Sequence, residues 1–362
     1  MYQLPPLNWK APPVHRFRKL LIVATAIGAL ALTGCATSAS GASSSGTASA
    51  NTLTIASPQC AHCLAMAMLP GQISGYNVQY QNFSKLSDLE AGLASGRINV
   101  GQIDYTGLVS VISQGLPIVA ISGEVNGGSD LLVAPSVNLQ PDDWAGFKAL
   151  AAQRKAAGKP FTIASQFGSV QDIELRLQLP KEGIDPSTDV TIVNTPYEGM
   201  GQALNNGSAD AAAAVQPFAA SIVSSNLGKH FAFPYDQAAG DLTNVVVVSQ
   251  DYLEKNPAAV AAIAAGMVKL TDYLGTDAGK KDWSSVVQKY TNTDAPTVDS
   301  ALTQLKPDLT IPMSQVRAIA DAMYAQGLIT TQVTDDQLKS HIDYDPLAAA
   351  TGTAAADLGQ AK

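Results

Sequence analysis

From residue 52 to residue 249 short apolar segments alternate with stretches of helical spacing, and that alternation limits the chain to layered α/β architectures. Strands are expected at 52–56, 77–80, 98–103 and 118–122, with helices over 84–96 and 106–114. In the first helix Leu86, Leu89 and Leu93 recur at helical spacing, Ser84 opens it and Gly96 stops it. A second set has strands at 161–164, 190–194, 209–215, 230–233 and 244–249, with helices over 169–179 and 197–205. Largely parallel sheets are expected from this order. Helices dominate the remainder. Asn256 caps Pro257, and Val260, Ile263, Met267, Leu270 and Leu274 form one apolar face. Further helices are expected near 296–305 and 314–326, the latter stopped by Gly327. One internal echo stands out: residues 92–100 (GLASGRINV) can be laid on 203–211 (ALNNGSADA). Each reads as helix end, glycine turn and buried strand, a weak repeat signal taken alone.

The N-terminus carries a different signal. His15, Arg16, Arg18 and Lys19 precede an uncharged apolar run at 20–32, followed by Leu32-Thr33-Gly34-Cys35. A basic region, an apolar region and a small-residue site make an export signal over 1–34. The run is too short to span the roughly 30 Å of a bilayer core. Its ending resembles the lipobox of bacterial lipoproteins, which implies that Cys35 is lipid-modified and begins the mature chain; a secreted protein cut nearby is the other reading. Residues 36–50 read as a Gly/Ser/Ala linker, and 346–362 as a loose, disordered tail.

Removal of residues 1–34, with four Lys/Arg and no Asp/Glu, takes the formal charge from −8 to −12. So acidic a chain is a poor partner for nucleic acid, which needs clustered Lys and Arg. With Cys35 lipidated, Cys60 and Cys63 remain, and in an oxidising compartment a local disulfide is the first reading. Two others stay open: Cys60, His62 and Cys63 as soft metal ligands with Met66 or Met68, and a redox-active dithiol. Gly-x-Ser-x-Gly, His-Glu-x-x-His and Gly-x-Gly-x-x-Gly are absent, and no enzyme or cofactor is expected.

Three stretches carry a wider likeness: residues 89–122, IASQFGSVQDIELRLQL at 163–179, and YEGMGQALNNGSADAAAAVQPF at 197–218. They resemble the substrate-binding proteins of ABC importers, in the nitrate, sulfonate and taurine branch that also includes thiamine-pyrimidine binders. The resemblance implies a periplasmic-binding-protein-like α/β fold with two lobes and a cleft. Lobe one would be 51–127 plus 240–345 and lobe two 128–239, with crossings near 123–134 and 239–249. It also implies a monomer that closes on a small-molecule ligand and delivers it unchanged to an ABC permease and its ATPase. It would be held at the outer face of a bacterial cell membrane by the Cys35 lipid.

In open α/β sheets ligands bind beyond the carboxyl ends of strands. That rule selects Ser57, Gln59 and His62 after the first strand, and Asp104, Tyr105 and Thr106 after the third. In lobe two it selects Gly168, Ser169, Val170, Tyr197, Glu198, Gln216 and Phe218. The N–H groups of 168–170 are expected to suit an anionic head group; helix capping is the competing reading for Asp104, Ser169 and Tyr197. After residue 34 the only arginines are Arg97, Arg154, Arg176 and Arg317, none in an expected cleft loop. Asp104, Glu124, Glu198 and Asp241 near the cleft would suit an amine instead, so the ligand class stays open.

Overall fold

The computed structural model describes residues 51–83 and 86–361. Cys35, the linker and Ser84 lie outside the described residues. Twelve strands are described: β1 (Thr52–Pro58), β2 (Asn77–Phe83), β3 (Val100–Asp104), β4 (Ile118–Gly123), β5 (Val125–Gly127), β6 (Ser129–Val133), β7 (Phe161–Ser165), β8 (Val190–Asn194), β9 (Ala211–Val215), β10 (Lys229–Ala232), β11 (Asn244–Ser249) and β12 (Leu305–Pro307). They form two five-stranded sheets, β2-β1-β3-β11-β4 and β8-β7-β9-β6-β10, and a small β5–β12 ribbon. Each sheet is wrapped by helices.

The two sheets share one order, and the fourth strand of each runs against its neighbours. β11 is antiparallel to β3 and β4, and β6 is antiparallel to β9 and β10. Both arrive from the other lobe along a crossing segment, so they enter in the reverse direction. The largely parallel sheets expected from the alternation are therefore mixed. The crossings lie against each other: the Gly127 N–H donates to the Asp241 carbonyl, and the Thr243 hydroxyl to the Gly127 carbonyl.

The sequence echo is a structural one. Helix Leu86–Ala94 ends at Gly96 (φ +72°), and helix Tyr197–Asn205 at Gly207 (φ +74°), in the left-handed region that glycine enters without a Cβ penalty. The Ile98 N–H then reaches the Gly92 carbonyl, as the Ala209 N–H reaches Ala203. Asn99 accepts from the Thr54 N–H and Asp210 from the Thr162 N–H, so one side chain pins β1 to the start of β3 and another pins β7 to the start of β9.

Apolar side chains fill a core on either face of the first sheet and one around the second. Helix Pro257–Leu274 buries Val260, Ile263, Met267, Leu270 and Leu274 as its spacing predicts. Asn256 makes no side-chain cap there; its amide donates backward to the Tyr252 carbonyl. The end of the chain differs most from expectation. Residues 346–361 are not a loose tail: helix Asp345–Thr351 buries Leu347, and Leu358 is buried while its carbonyl accepts from the Ile311 N–H.

Candidate functional site

The carboxyl ends of β1, β3, β7, β8 and β9 converge on a cleft of about 880 Å³ between the two sheets. From lobe one the wall includes Gln59, Glu90, Gln102, Asp104 and Thr106; from lobe two, Phe167, Ser169, Tyr197, Glu198 and Phe218. Two helices that start at this cleft have one of the chain's own carboxylates at their first turn. Asp104 caps helix Tyr105–Ser113, its Oδ1 accepting from the Gly107 N–H at 2.7 Å and the Thr106 hydroxyl at 3.1 Å. Burial holds the Asp104 carboxyl above its ordinary range, against the pull of those two bonds. Glu90 is raised too, by burial and then by the Asp104 charge.

Ser169 caps helix Val170–Lys181, accepting from the Asp172 N–H. Asp172, 1% exposed, turns its carboxylate back over the helix start. It accepts from the Gly168 N–H, the Ser165 hydroxyl and the Arg176 guanidinium at 3.2, 3.1 and 2.9 Å. Gly168 adopts φ +78°, so the turn suits glycine. Above this helix Tyr197 and Phe218 stack with centroids 5.8 Å apart, and the Tyr197 hydroxyl donates to Gln171 at 2.5 Å. Burial raises the Tyr197 phenol well above its ordinary range.

Below the cleft sits the cysteine loop. Cys60 and Cys63 are joined, with Cα atoms 5.0 Å apart. The Ala61 N–H donates across the cleft to the Gln216 carbonyl at 3.4 Å, and the Ala61 carbonyl accepts from the Trp283 indole at 2.9 Å. The loop is thus tied to both lobes. His62 is 3% exposed, its Nδ1 has no partner among the described residues, and burial pushes its pKa down to about 3. The sulfur and imidazole atoms of Cys60, His62 and Cys63 lie within 4.8 Å of one another. A disulfide, however, offers no thiolate, and a neutral imidazole alone is a poor cage. Under the crossings Glu124 and Glu174 are each 1% exposed, and burial raises both far above the ordinary carboxyl range.

Comparison with known proteins agrees with this architecture. A profile of the NMT1-like family matches residues 23–288, most of the chain. The chain belongs to the NMT1-like family. The nitrate/nitrite binding protein NrtA of Synechococcus elongatus is 31% identical over 117 residues, 32% of this chain and 26% of that protein. The match thus spans about a quarter of its curated relative. The solved periplasmic nitrate-binding protein NrtA from Synechocystis superposes with TM-score 0.67 at 14% identity, covering 85% of this chain and 91% of the other. The aliphatic sulphonate binding protein SsuA from Escherichia coli gives 0.65 at 16% identity, over 81% and 92%. At such identities the likeness is one of fold: this NMT1-like chain has the two-lobed periplasmic-binding-protein architecture.

Most residues selected from the sequence line the cleft of this NMT1-like fold: Gln59, His62, Asp104, Thr106, Gly168, Ser169, Val170, Tyr197, Glu198 and Phe218. Three do not. The Ser57 hydroxyl is held by the Tyr80 hydroxyl at 2.7 Å, in the core. Tyr105 follows the Asp104 cap and so points to the other face of its helix, into lobe one's core. Gln216 turns its Oε1 onto the Ala220 N–H, in the first turn of helix Phe218–Ser224. The expectation that 168–170 offer free N–H groups to an anion also fails at Gly168, whose N–H is taken by Asp172. Sequence reasoning missed Glu90, Gln102, Phe167, Asn244 and Tyr290 in the wall. Phe167 sits in a loop already selected and was within reach; the others come from a helix face, a strand interior and distant segments, with no local cue.

Proposed function

We propose that this chain is the extracytoplasmic solute-binding component of an ABC importer. It captures one small organic solute between its lobes and passes it unchanged to a membrane permease. The carrying observation is the cleft itself: about 880 Å³, at the carboxyl ends of both sheets, in a chain of the NMT1-like family. A volume of that size suits a small molecule. The crossing segments at 123–129 and 239–244 are the natural hinge, because few residues there join the lobes. Nitrate and sulfonates are bound by the relatives named above, and they define the first cargo classes to test. Anchorage through a lipid on Cys35, and a monomeric state, complete the reading.

The test is native mass spectrometry, with small-angle X-ray scattering, on protein extracted from bacterial membranes, with taurine, alkyl and aryl sulfonates, nitrate, pyrimidines and amines supplied. Expected results are a mature chain beginning at a lipid-bearing Cys35, one solute bound per protein and recovered unchanged, and a smaller radius of gyration on binding. Conversion of the solute to a product would make the protein an enzyme. No bound solute and no compaction across the panel would sink the capture reading.

A further inference from the structure

We propose that the cleft selects a small organic cation, an ammonium or amidinium group on a flat apolar body, and rejects oxyanions such as nitrate and sulfonate. The proposal deepens the solute-capture reading and rests on it. Three independent features of the wall agree.

The first is charge. Glu90, Asp104 and Glu198 line the cleft, and no lysine or arginine does so among the described residues. Two cations stand over wall rings without lining the cleft: Arg176, committed to Asp172, 5.1 Å from the centre of the Phe167 ring, and Lys289, 5.2 Å from that of Tyr290. The second is the state of the helix starts, the usual backbone cradle for an anion. Asp104 occupies the Gly107 N–H, Asp172 the Gly168 N–H, and the Gln216 side chain the Ala220 N–H. Acceptors at these positions are already supplied by the protein, two of them carboxylates. The third is a surplus of acceptors. Gln102 is 1% exposed and its Oε1 has no partner among the described residues. Asn244, in the same wall and also 1% exposed, likewise leaves its Oδ1 without a partner among the described residues. Buried acceptors without donors are costly, and an oxyanion brings only acceptors. A cationic group brings donors, and relieves the repulsion between Glu90 and Asp104. The Tyr197–Phe218 pair and Phe167 supply the ring faces on which a cation or flat body rests.

The probes are benzylamine, choline, nitrate and ethanesulfonate, titrated calorimetrically into the purified chain and into Asp104→Asn and Glu90→Gln. Asn caps a helix as well as Asp does, so the first variant keeps the helix start while losing the charge; its unliganded melting midpoint checks this. Expected are binding of at least one cation, no binding of either oxyanion, and a loss of roughly 10- to 100-fold in Asp104→Asn. A smaller loss in the same direction is expected for Glu90→Gln. Oxyanion binding that Asp104→Asn leaves unchanged overturns the cation selectivity while leaving solute capture intact. Failure of all four probes also overturns it, and the compaction measurement above then decides whether solute capture falls with it.

Discussion

Burial makes His62 a neutral imidazole, with its pKa down to about 3. The unfolded chain takes up a proton there near pH 6.5, which the folded chain refuses until about pH 3. Stability from this residue is therefore full above pH 6.5 and lost as pH falls through that window. Glu124 and Glu174 act with the opposite sign, since raised carboxyls favour the fold at low pH and oppose it as pH rises above the ordinary range. Comparison with His62→Gln isolates the histidine. The unfolding free energy of the wild type relative to the variant should drop by about 3 kcal/mol between pH 7 and pH 4; an unchanging difference would remove His62 from the account. Nothing in Gln59-Cys60-Ala61-His62-Cys63 announces this burial. The loop is seated from more than two hundred residues downstream, by Trp283, whose indole donates to the Ala61 carbonyl.

At the scale of one element, helix Val170–Lys181 shows how a turn predicted to receive ligand also serves itself. Its start was legible: Gly168-Ser169 supplies the left-handed turn and the cap. The role of Asp172 was not, because a carboxylate three residues past a cap reads as ordinary capping chemistry until its other donors are in view. Asp172→Ala would strand the Ser165 hydroxyl, the Gly168 N–H and the half-buried Arg176 guanidinium. Urea unfolding should show a loss of about 2–4 kcal/mol. A loss below about 1 kcal/mol would mean that water replaces the carboxylate freely.

At the scale of the whole molecule, the crossings and the C-terminal segment carry the lesson. Removing residues 346–362 takes Leu347 and Leu358 from lobe one's core and frees the Ile311 N–H. At roughly 2 kcal/mol for each fully buried leucine, the truncated chain should lose about 4 kcal/mol. Retention of full stability in thermal and urea unfolding would show the segment to be dispensable. The alanine-rich composition of 348–356 hid this packing, since two leucines on either side of Gly352 are too few apolar positions to set a period.

By itself, the sequence determined the α/β class, the strand and helix order, the repeated helix–glycine–strand unit and most of the cleft loops. Each follows from local rules: side-chain periodicity, glycine's freedom at positive φ, and loops at strand ends. Only the tertiary structure decided which strands run against their neighbours, that the tail joins the core, and that Glu90 and Gln102 face the cleft. It also decided that Asp172 and Gln216 occupy N–H groups at helix starts facing the cleft. Those facts depend on where the two crossing segments bring distant residues together, and local spacing along a chain holds no record of that.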